Sequence, residues 1–231
     1  MKLEINNLSK KYGDKQILND ASFTFEENKI YGLIGRNGVG KTTFFQILNQ
    51  DIDYNDGFIM LDDKFLKDEN VSFVEQSPNV PTFLTGKEFI NLFLEINKNK
   101  IKNLKTPEEY FKLVDIKPED QNKIMKEYST GMKNKIQTLL GIISEKEVLL
   151  LDEPLTSLDI VVQEEMKNLL KSIKKNHIII ITTHILDIAL DLCDEILILK
   201  DKHFELIEKK NLDDKKYKNQ IIKALKDNQD E

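Results

Sequence analysis

The residues with the clearest chemistry lie at positions 35–42, where the sequence reads Gly-Arg-Asn-Gly-Val-Gly-Lys-Thr. This stretch matches in full the pattern G-x-x-x-x-G-K-[ST] of loops that bind phosphate groups. Glycine permits the positive φ angles that turn backbone N–H groups inward, and the helix expected after the loop directs its positive N-terminus to the same space. Lys41 is predicted to reach the β- and γ-phosphates, and the Thr42 hydroxyl to bind Mg²⁺. The loop therefore predicts a nucleoside triphosphate site.

Three apolar runs are expected to position this loop and the polar residues that follow them. Ile30–Ile34 predicts a strand directly before the loop. Val148–Leu151 and Ile178–Thr183 predict two further strands, the first followed by an Asp-Glu pair and the second by a histidine. Strands that alternate with helices imply a parallel sheet, whose ligands lie at the carboxyl ends of the strands. We therefore expect these polar residues to meet at one edge of the sheet.

Each of these polar residues has a predicted role in triphosphate hydrolysis. Asp152 is expected to bind Mg²⁺, and Glu153 to act as the general base for the attacking water. His184 is expected to contact the γ-phosphate. Gln76, which follows the predicted strand Val71–Glu75, can bind Mg²⁺ or a water. Together these residues predict an enzyme that hydrolyses the nucleotide it binds.

Tyr12 is an aromatic residue upstream of the phosphate loop. It lies in the predicted turn Lys11–Asp14, whose Gly-Asp pair is typical of turns. Ordinary packing is the default interpretation of such a residue. A role in stacking on a nucleotide base requires that the turn fold over the bound nucleotide.

Residues 86–145 contain no predicted strand, unlike the rest of the chain. Helices are predicted over 86–97, 107–115, 118–127 and 132–143. The remaining segments predict strands at 2–8, 17–25, 57–61 and 195–199, and helices at 160–175, 185–192 and in the tail 211–231. We therefore expect one domain, in which a helical subdomain, 77–144, is inserted into an α/β core formed by 1–76 and 145–231.

Composition limits the other classes of function. The chain has 231 residues and a net charge of −6, and Arg36 is its only arginine. We therefore expect no nucleic-acid partner, since that would need a basic surface. The single Cys193 excludes an internal disulfide bond. No signal peptide is recognisable and no apolar run is long enough to cross a membrane, so we expect a soluble, intracellular protein.

The order of the motifs resembles that of the ATP-binding subunit of an ATP-binding-cassette (ABC) transporter, over almost the whole chain. The matching segments are the base-stacking aromatic Tyr12, the Walker A loop 35–42, the Q-loop Gln76, the signature motif Tyr128–Lys133, the Walker B segment Val148–Glu153, the D-loop Ser157–Asp159 and the switch histidine His184. A single motif of this kind occurs by chance, whereas the whole set in the family order is specific.

The motifs and the resemblance together assign a set of site residues. The residues assigned to ATP are Tyr12, Gly35, Arg36, Asn37, Gly38, Val39, Gly40, Lys41, Thr42, Thr43, Ser129 and Gly131. The residues assigned to Mg²⁺ are Thr42, Gln76 and Asp152. The residues assigned to catalysis are Glu153, His184 and Gln76.

The resemblance implies a P-loop ABC-type α/β core with an N-terminal antiparallel β-subdomain and an inserted helical subdomain. It also implies a dimer, either of two copies or with a sister subunit, that encloses ATP. Each nucleotide would lie between the phosphate loop of one subunit and the signature loop of its partner. The residues themselves agree with this arrangement, because Ser129 and Gly131 open a predicted helix, and a helix N-terminus attracts anions.

The signature motif differs from the common Leu-Ser-Gly-Gly-Gln at Tyr128, Thr130 and Met132. Its Tyr-Ser-x-Gly-Met-Lys form is similar to that of bacterial exporters of the drug-resistance, peptide-antibiotic-immunity and sodium-export type. The implied function is an ATPase that powers export through a separate membrane-spanning subunit, on the inner face of the cell membrane. The alternative is a soluble ABC ATPase that acts as a conformational switch or assembly scaffold. A P-loop GTPase or kinase is disfavoured, because neither requires this signature together with Gln76 and His184.

Overall fold

The computed structural model of the chain describes residues 1–156, 158–208 and 214–226, which form two sheets and the helices around them. The strands are β1 (Lys2–Tyr12), β2 (Lys15–Glu26), β3 (Lys29–Ile34), β4 (Asp56–Leu61), β5 (Lys64–Phe65), β6 (Val71–Val74), β7 (Val148–Asp152), β8 (Ile178–Thr182), β9 (Glu195–Lys200) and β10 (His203–Ile207). The helices are α1 (Lys41–Leu48), α2 (Gly86–Asn97), α3 (Pro107–Leu113), α4 (Pro118–Gln121), α5 (Thr130–Ile143), α6 (Ile160–Ile173), α7 (Leu186–Leu192) and α8 (Asp214–Lys226).

The larger sheet has six strands in the order β10-β9-β3-β8-β7-β6. Its strands from β9 to β6 are parallel, and β10 joins the edge antiparallel to β9. Every residue of β7 and β8 is buried, as in parallel strands that helices cover on both faces. The predicted parallel sheet is therefore confirmed, and β3, β7 and β8 end at the same edge.

The smaller sheet has four antiparallel strands in the order β2-β1-β4-β5. Its last strand β5 and the last strand of the larger sheet, β10, are absent from the sequence predictions. Each follows a two-residue turn in the left-handed region, Asp62-Asp63 (φ 45° and 63°) and Asp201-Lys202 (φ 47° and 71°). Such turns usually contain Asn-Gly or Asp-Gly, so without glycine the sequence carried no hairpin signal.

The helices α2 to α5 lie between β6 and β7 in the chain. In residues 75–147, which the structure describes throughout, the one pairing of strand type is an isolated bridge between Thr85 and Ile124. The predicted single helix 118–127 is wrong, because α4 ends at Gln121. The amide of Met125 instead donates to the carbonyl oxygen of Leu84, at 2.8 Å, which holds this segment against the chain before α2.

Buried side chains fill both faces of the larger sheet. On one face, α1 and the smaller sheet pack against it through residues such as Phe44 and Phe25, and the ring of Phe25 contacts Tyr31 of β3. On the other face, the helices of residues 86–173 pack against residues such as Ile179 and Ile181. This second core continues from the larger sheet into α2 and α5 without a break.

The end of the chain forms α8, which packs Tyr217 and Ile221 against the region of β9 and α7. This helix falls within the predicted tail helix 211–231, of which residues 211–213 and 227–231 lie outside the described residues. Among the described helices, none has the length and apolar character needed to cross a membrane.

Candidate functional site

The loop between β3 and α1 needs its glycines for different reasons. Gly38 and Gly40 have φ angles of 78° and 119°, in the region that glycine adopts readily. Gly35 has no positive φ, but a Cβ atom there would lie 2.8 Å from Val39 Cγ1 and 3.0 Å from the carbonyl oxygen of Leu199. The predicted positive φ is therefore confirmed at two of these positions, while close packing explains the third.

Lys41, the first residue of α1, is buried with 8% of its surface exposed. Its Nζ atom donates to the carbonyl oxygens of Gly35, at 2.7 Å, and Arg36, at 3.2 Å. Burial lowers the pKa of Lys41 from its ordinary value, and the carboxylates of Glu153 and Asp152 oppose that shift. The loop therefore curls around a positive charge that faces the two acidic residues.

Asp152, at the end of β7, has both carboxylate oxygens in hydrogen bonds. Oδ2 accepts from Thr42 Oγ1 at 2.9 Å, and Oδ1 accepts from Thr182 Oγ1 at 2.5 Å. The Thr182 hydroxyl also accepts from the backbone N–H of Glu153, at 2.9 Å. Sequence reasoning missed Thr182, although a hydroxyl that ends the apolar run Ile178–Ile181 was a usable signal.

Glu153 follows directly in the left-handed region, with a φ angle of 52°, and its side chain is 8% exposed. Its carboxylate oxygens lie 2.8 and 2.9 Å from Nδ1 of His184, whose ring is half-exposed. Oε2 also accepts from the Thr156 hydroxyl at 2.6 Å. The two residues predicted as the general base and the γ-phosphate contact are therefore in direct contact, and Thr156 is a further site residue that the sequence analysis did not name.

These groups share one cavity of about 350 Å³. Its lining residues are Ile17, Asn37, Gly38, Gly40, Lys41, Thr42, Thr43, Gln76, Asp152, Glu153 and His184. Ile17 on β2 was not predicted as a site residue. It lies close to the loop, since a Cβ atom added at Gly40 would be 2.6 Å from Ile17 Cγ2. The smaller sheet therefore supplies one apolar wall of the cavity.

Other predicted ATP residues do not line this cavity. Gly35, Arg36 and Val39 belong to the loop but are not in the cavity wall. Tyr12 ends β1 with 48% of its surface exposed, and Lys10 Nζ lies 4.7 Å from the centre of its ring. The ring is therefore accessible and lies outside the wall of the phosphate cavity.

The cavity contains the donor atoms that suit Mg²⁺. Thr42, Asp152 and Gln76 contribute a hydroxyl, a carboxylate and an amide to it, and magnesium prefers such oxygen ligands. Within residues 1–156, 158–208 and 214–226, no group of three or more His, Cys, Asp and Glu side chains could hold a metal. Magnesium commonly binds through one or two protein ligands, water and substrate phosphates, so the donor set fits an ion shared with a nucleotide.

Ser129 and Gly131 lie elsewhere, at the N-terminal end of α5. Ser129 is exposed, and its Oγ accepts from the backbone N–H of Met132 at 3.2 Å, which caps the helix. Gly131 lies beside α6, where an added Cβ atom would be 3.6 Å from Val162 Cγ1. Neither residue lines the cavity.

The N-terminal end of α6 adjoins that of α5 and is capped by Asp159, whose carboxylate accepts from the N–H groups of Val161 and Val162. Ile160 and Val161 are 84% and 66% exposed. We call the N-terminal turns of both helices the α5–α6 surface, which comprises the exposed Ser129, Ile160 and Val161 and the half-buried Gly131. Ser157 of the predicted D-loop lies outside the described residues.

Comparisons with known proteins identify the family. A family model described as ABC transporter matches residues 18–156. An uncharacterized ABC transporter ATP-binding protein of Methanocaldococcus jannaschii is 33% identical over 210 residues, which cover 86% of this chain and 74% of that protein. A zinc import ATP-binding protein of Rickettsia conorii is 32% identical, with coverage of 85% and 82%. A carnitine transport ATP-binding protein of Listeria monocytogenes is 32% identical, and there the match covers 86% of this chain but 53% of the relative.

A solved structure described as the ATP-binding subunit of an ABC transporter has the same fold. Its TM-score is 0.76 at 20% sequence identity, and the match covers 90% of both chains. This agreement confirms the predicted fold class, the P-loop ABC-type core with an antiparallel sheet and helical segments. The motifs, the fold and the matched relatives lead to the same conclusion, that this chain belongs to the ABC transporter family as an ATP-binding subunit with ATPase activity.

Proposed function

We propose that the chain binds Mg–ATP in the 350 Å³ cavity and that hydrolysis there drives export through a separate membrane-spanning subunit. The observation that carries the proposal is the convergence of three segments on this cavity. Lys41 and Thr42 come from α1, Asp152 and Glu153 from the end of β7, and His184 from the loop after β8. Lys41 provides a positive charge for phosphate, Thr42 and Asp152 provide ligands for Mg²⁺, and Glu153 is the candidate base.

The hydrolytic step follows from this arrangement. The N–H groups of the loop and Lys41 bind the β- and γ-phosphates. Thr42 and Asp152 would hold Mg²⁺, which would supply positive charge at the phosphates. Glu153 accepts a proton from the attacking water as the new O–Pγ bond forms and the bond from Pγ to the ADP oxygen breaks. His184 orients the Glu153 carboxylate through Nδ1 and presents its exposed ring to the γ-phosphate.

Binding and turnover of ATP by the purified chain test this assignment. We expect a fluorescent ATP analogue to bind more tightly with Mg²⁺ than with EDTA, and phosphate release to require Mg²⁺. Equal affinity under the two conditions, or phosphate release in EDTA, would contradict the proposed magnesium site. If the analogue binds neither with Mg²⁺ nor with EDTA, the assignment of ATP to this cavity is wrong.

We propose that two copies, or one copy and a sister subunit, complete the site by bringing the α5–α6 surface of one chain to the nucleotide of the other. Ser129 is exposed at a helix N-terminus, where anions are favoured. Within the chain, a side chain at Gly131 would meet Val162 only at ordinary contact distance, so the chain's own packing does not require glycine there. Close approach of a partner's nucleotide supplies a reason for it.

The proposed membrane partner would dock between the two parts of the chain, the helical subdomain 77–144 and the core formed by 1–76 and 145–231. A second cavity of about 740 Å³ lies there, with Phe73 of β6, Phe93 of α2 and Lys100 in its wall. Phe73 lies three residues before Gln76, which lines the ATP cavity. A short segment of the membrane subunit in this groove would therefore be connected to the nucleotide through β6.

Pull-down from detergent-solubilised membranes tests this part of the proposal. We expect the immobilised chain to retain a membrane protein, and Lys100→Glu in the groove to weaken the capture. Lys223→Glu, on the exposed side of α8, is the matched control and should leave capture unchanged. Capture of soluble assembly factors alone would favour the alternative function as a conformational switch or scaffold.

The direction of transport rests on the signature motif alone. Tyr128-Ser-Thr-Gly-Met-Lys is similar to the form found in bacterial exporters, and this supports export. One matched relative is named for zinc import, so the family by itself does not assign the direction. Identification of the captured membrane subunit, followed by transport in vesicles of known orientation, tests it.

A further inference from the structure

Thr182 makes two hydrogen bonds that join it to consecutive acidic residues of the site. It is the last residue of β8, is fully buried and pairs in register with Asp152 of β7. Its hydroxyl donates to Asp152 Oδ1 at 2.5 Å and accepts from the backbone N–H of Glu153 at 2.9 Å. A single oxygen atom is therefore both donor and acceptor toward the two residues that bring the carboxylates to the cavity.

The first bond determines where the free side of the Asp152 carboxylate points. With Oδ1 held by Thr182, Oδ2 lies 2.9 Å from Thr42 Oγ1. These two oxygens are the proposed Mg²⁺ ligands that come from separate elements, α1 and β7. A rotation of the carboxylate about its Cβ–Cγ bond would separate them.

The second bond holds the backbone where it turns from the strand. Glu153 has a φ angle of 52°, a region that is unfavourable for residues other than glycine. Its N–H points back into the sheet, where an unpaired amide would be costly. The Thr182 hydroxyl satisfies that N–H and so stabilises the backbone conformation from which the Glu153 side chain reaches His184.

The placement of this hydroxyl within its strand is also informative. The four preceding residues, Ile178–Ile181, are all isoleucine and fully buried, so burial in this strand does not itself call for a hydroxyl at the last position. A buried hydroxyl is unfavourable unless it is hydrogen-bonded, and here both bonds go to the site.

We propose that Thr182 is a positioning residue for ATP hydrolysis: its hydroxyl orients Asp152 toward Mg²⁺ and fixes the backbone of Glu153. The inference rests on the proposed assignment of Asp152 and Glu153. It adds a residue that touches neither the nucleotide nor the metal and acts only through these two neighbours.

Thr182→Val tests it, since valine has nearly the shape of threonine and lacks the hydroxyl. In the Glu153→Gln background, we expect the gain in affinity for a fluorescent ATP analogue on adding Mg²⁺ to fall by about 10- to 100-fold, as for other residues that orient a metal ligand. Affinity in EDTA should be unchanged. In the chain with Glu153 intact, kcat should fall by a similar factor, and the KM for Mg–ATP should rise with the loss of Mg²⁺-dependent affinity.

Two further variants separate the hydroxyl from packing. Thr182→Ser keeps the hydroxyl and should restore most of the Mg²⁺ effect. Thr138→Val, at a buried threonine on α5 outside the cavity, is the matched control and should leave both measurements unchanged. If Thr182→Val does not fold, Thr182→Cys provides a small, weakly donating side chain and should show the same loss.

Several results would overturn the proposal. One such result is Thr182→Val or Thr182→Cys with a normal kcat and the parent's full gain in ATP affinity on adding Mg²⁺. Another is a Thr182→Ser variant that loses as much of that gain as Thr182→Val. If Thr182→Val lowers the melting temperature but keeps the gain in ATP affinity on adding Mg²⁺, the role of Thr182 is purely structural. Failure of the parent chain to bind ATP would instead contradict the proposed function, so the two failures are distinguishable.

Discussion

The ATP cavity and the α5–α6 surface differ in how much of the chain packs against their side chains. In the cavity, Lys41 is held by loop carbonyls, Asp152 by two hydroxyls and Glu153 by His184 and Thr156. The α5–α6 surface has a capped helix end and two exposed apolar side chains, Ile160 and Val161. The cavity is therefore organised within one chain, whereas the apolar side chains of the surface remain exposed in the single chain.

The largest expected effect of a substitution in the ATP cavity is the loss of ATP binding on replacing Lys41. Lys41→Ala should abolish ATP binding at micromolar nucleotide, because it removes two charge-assisted bonds to phosphate of about 1.5–3 kcal/mol each. Equilibrium binding of a fluorescent analogue measures this. Lys223→Ala, an exposed lysine on α8, is the control and should bind normally. Unchanged affinity in Lys41→Ala would refute the assignment of the phosphate loop.

Glu153→Gln should separate binding from chemistry within the cavity. The amide keeps the shape of the carboxylate but cannot accept the proton from water, so kcat should fall by about 10²–10⁴-fold. ATP binding should persist. Phosphate release in single turnover, together with nucleotide binding, gives both quantities, and a variant that turns over at the parent rate would show that Glu153 is not the base.

Ser129→Arg should affect the α5–α6 surface and leave the ATP cavity unchanged. We expect it to abolish ATP-dependent dimerisation in the Glu153→Gln background, since a long charged side chain would block close approach at the α5–α6 surface. Affinity of the single chain for ATP should not change. Light scattering with and without ATP measures the dimer. Thr106→Arg, which replaces the cap of α3 in the same way, should still dimerise; equal loss in both variants would point to misfolding.

An ion pair between a buried lysine and a partly exposed glutamate is expected to hold the two helices of this surface together. Lys135 of α5 is 7% exposed, and its Nζ lies 2.7 Å from Glu165 Oε2 of α6. Glu165→Leu should lower the free energy of unfolding by about 3 kcal/mol, because it leaves a buried charge without its partner. Lys135→Met combined with it should recover much of the loss. Urea unfolding measures both, and equal stability of the single and double variants would contradict this role.

The smallest expected effect comes from Gly131, and Gly40 provides the contrasting glycine in the cavity. Gly131→Ala should stabilise the chain by about 0.4–1 kcal/mol, because its φ is not positive and the site has room, yet it should reduce ATPase activity if a partner's nucleotide approaches there. Gly40→Ala should destabilise it, since φ is 119° and the new Cβ would meet Ile17. Thermal unfolding and phosphate release test the pair, and a fully active Gly131→Ala would argue against the proposed close approach.

Local patterns explain which elements were predictable. The loop 35–42 combines a short motif with an apolar run before it, so both its conformation and its neighbours follow from adjacent residues. The hairpin turns at Asp62-Asp63 and Asp201-Lys202 contain no glycine, and their strands were missed. The helix predicted over 118–127 ends early because Met125 bonds to Leu84, a contact between residues far apart in the sequence.

The amino-acid sequence alone specifies the family, the parallel sheet and the polar residues that strand ends deliver to one edge, because motif spacing and hydrophobic period are properties of neighbouring residues. Only the folded chain shows which of them meet. It joins Glu153 to His184 and Asp152 to Thr182 across about thirty residues of sequence, adds Ile17 from another sheet, and leaves Ser129 outside the cavity. Such contacts depend on strand register and packing between distant segments, which no local pattern contains.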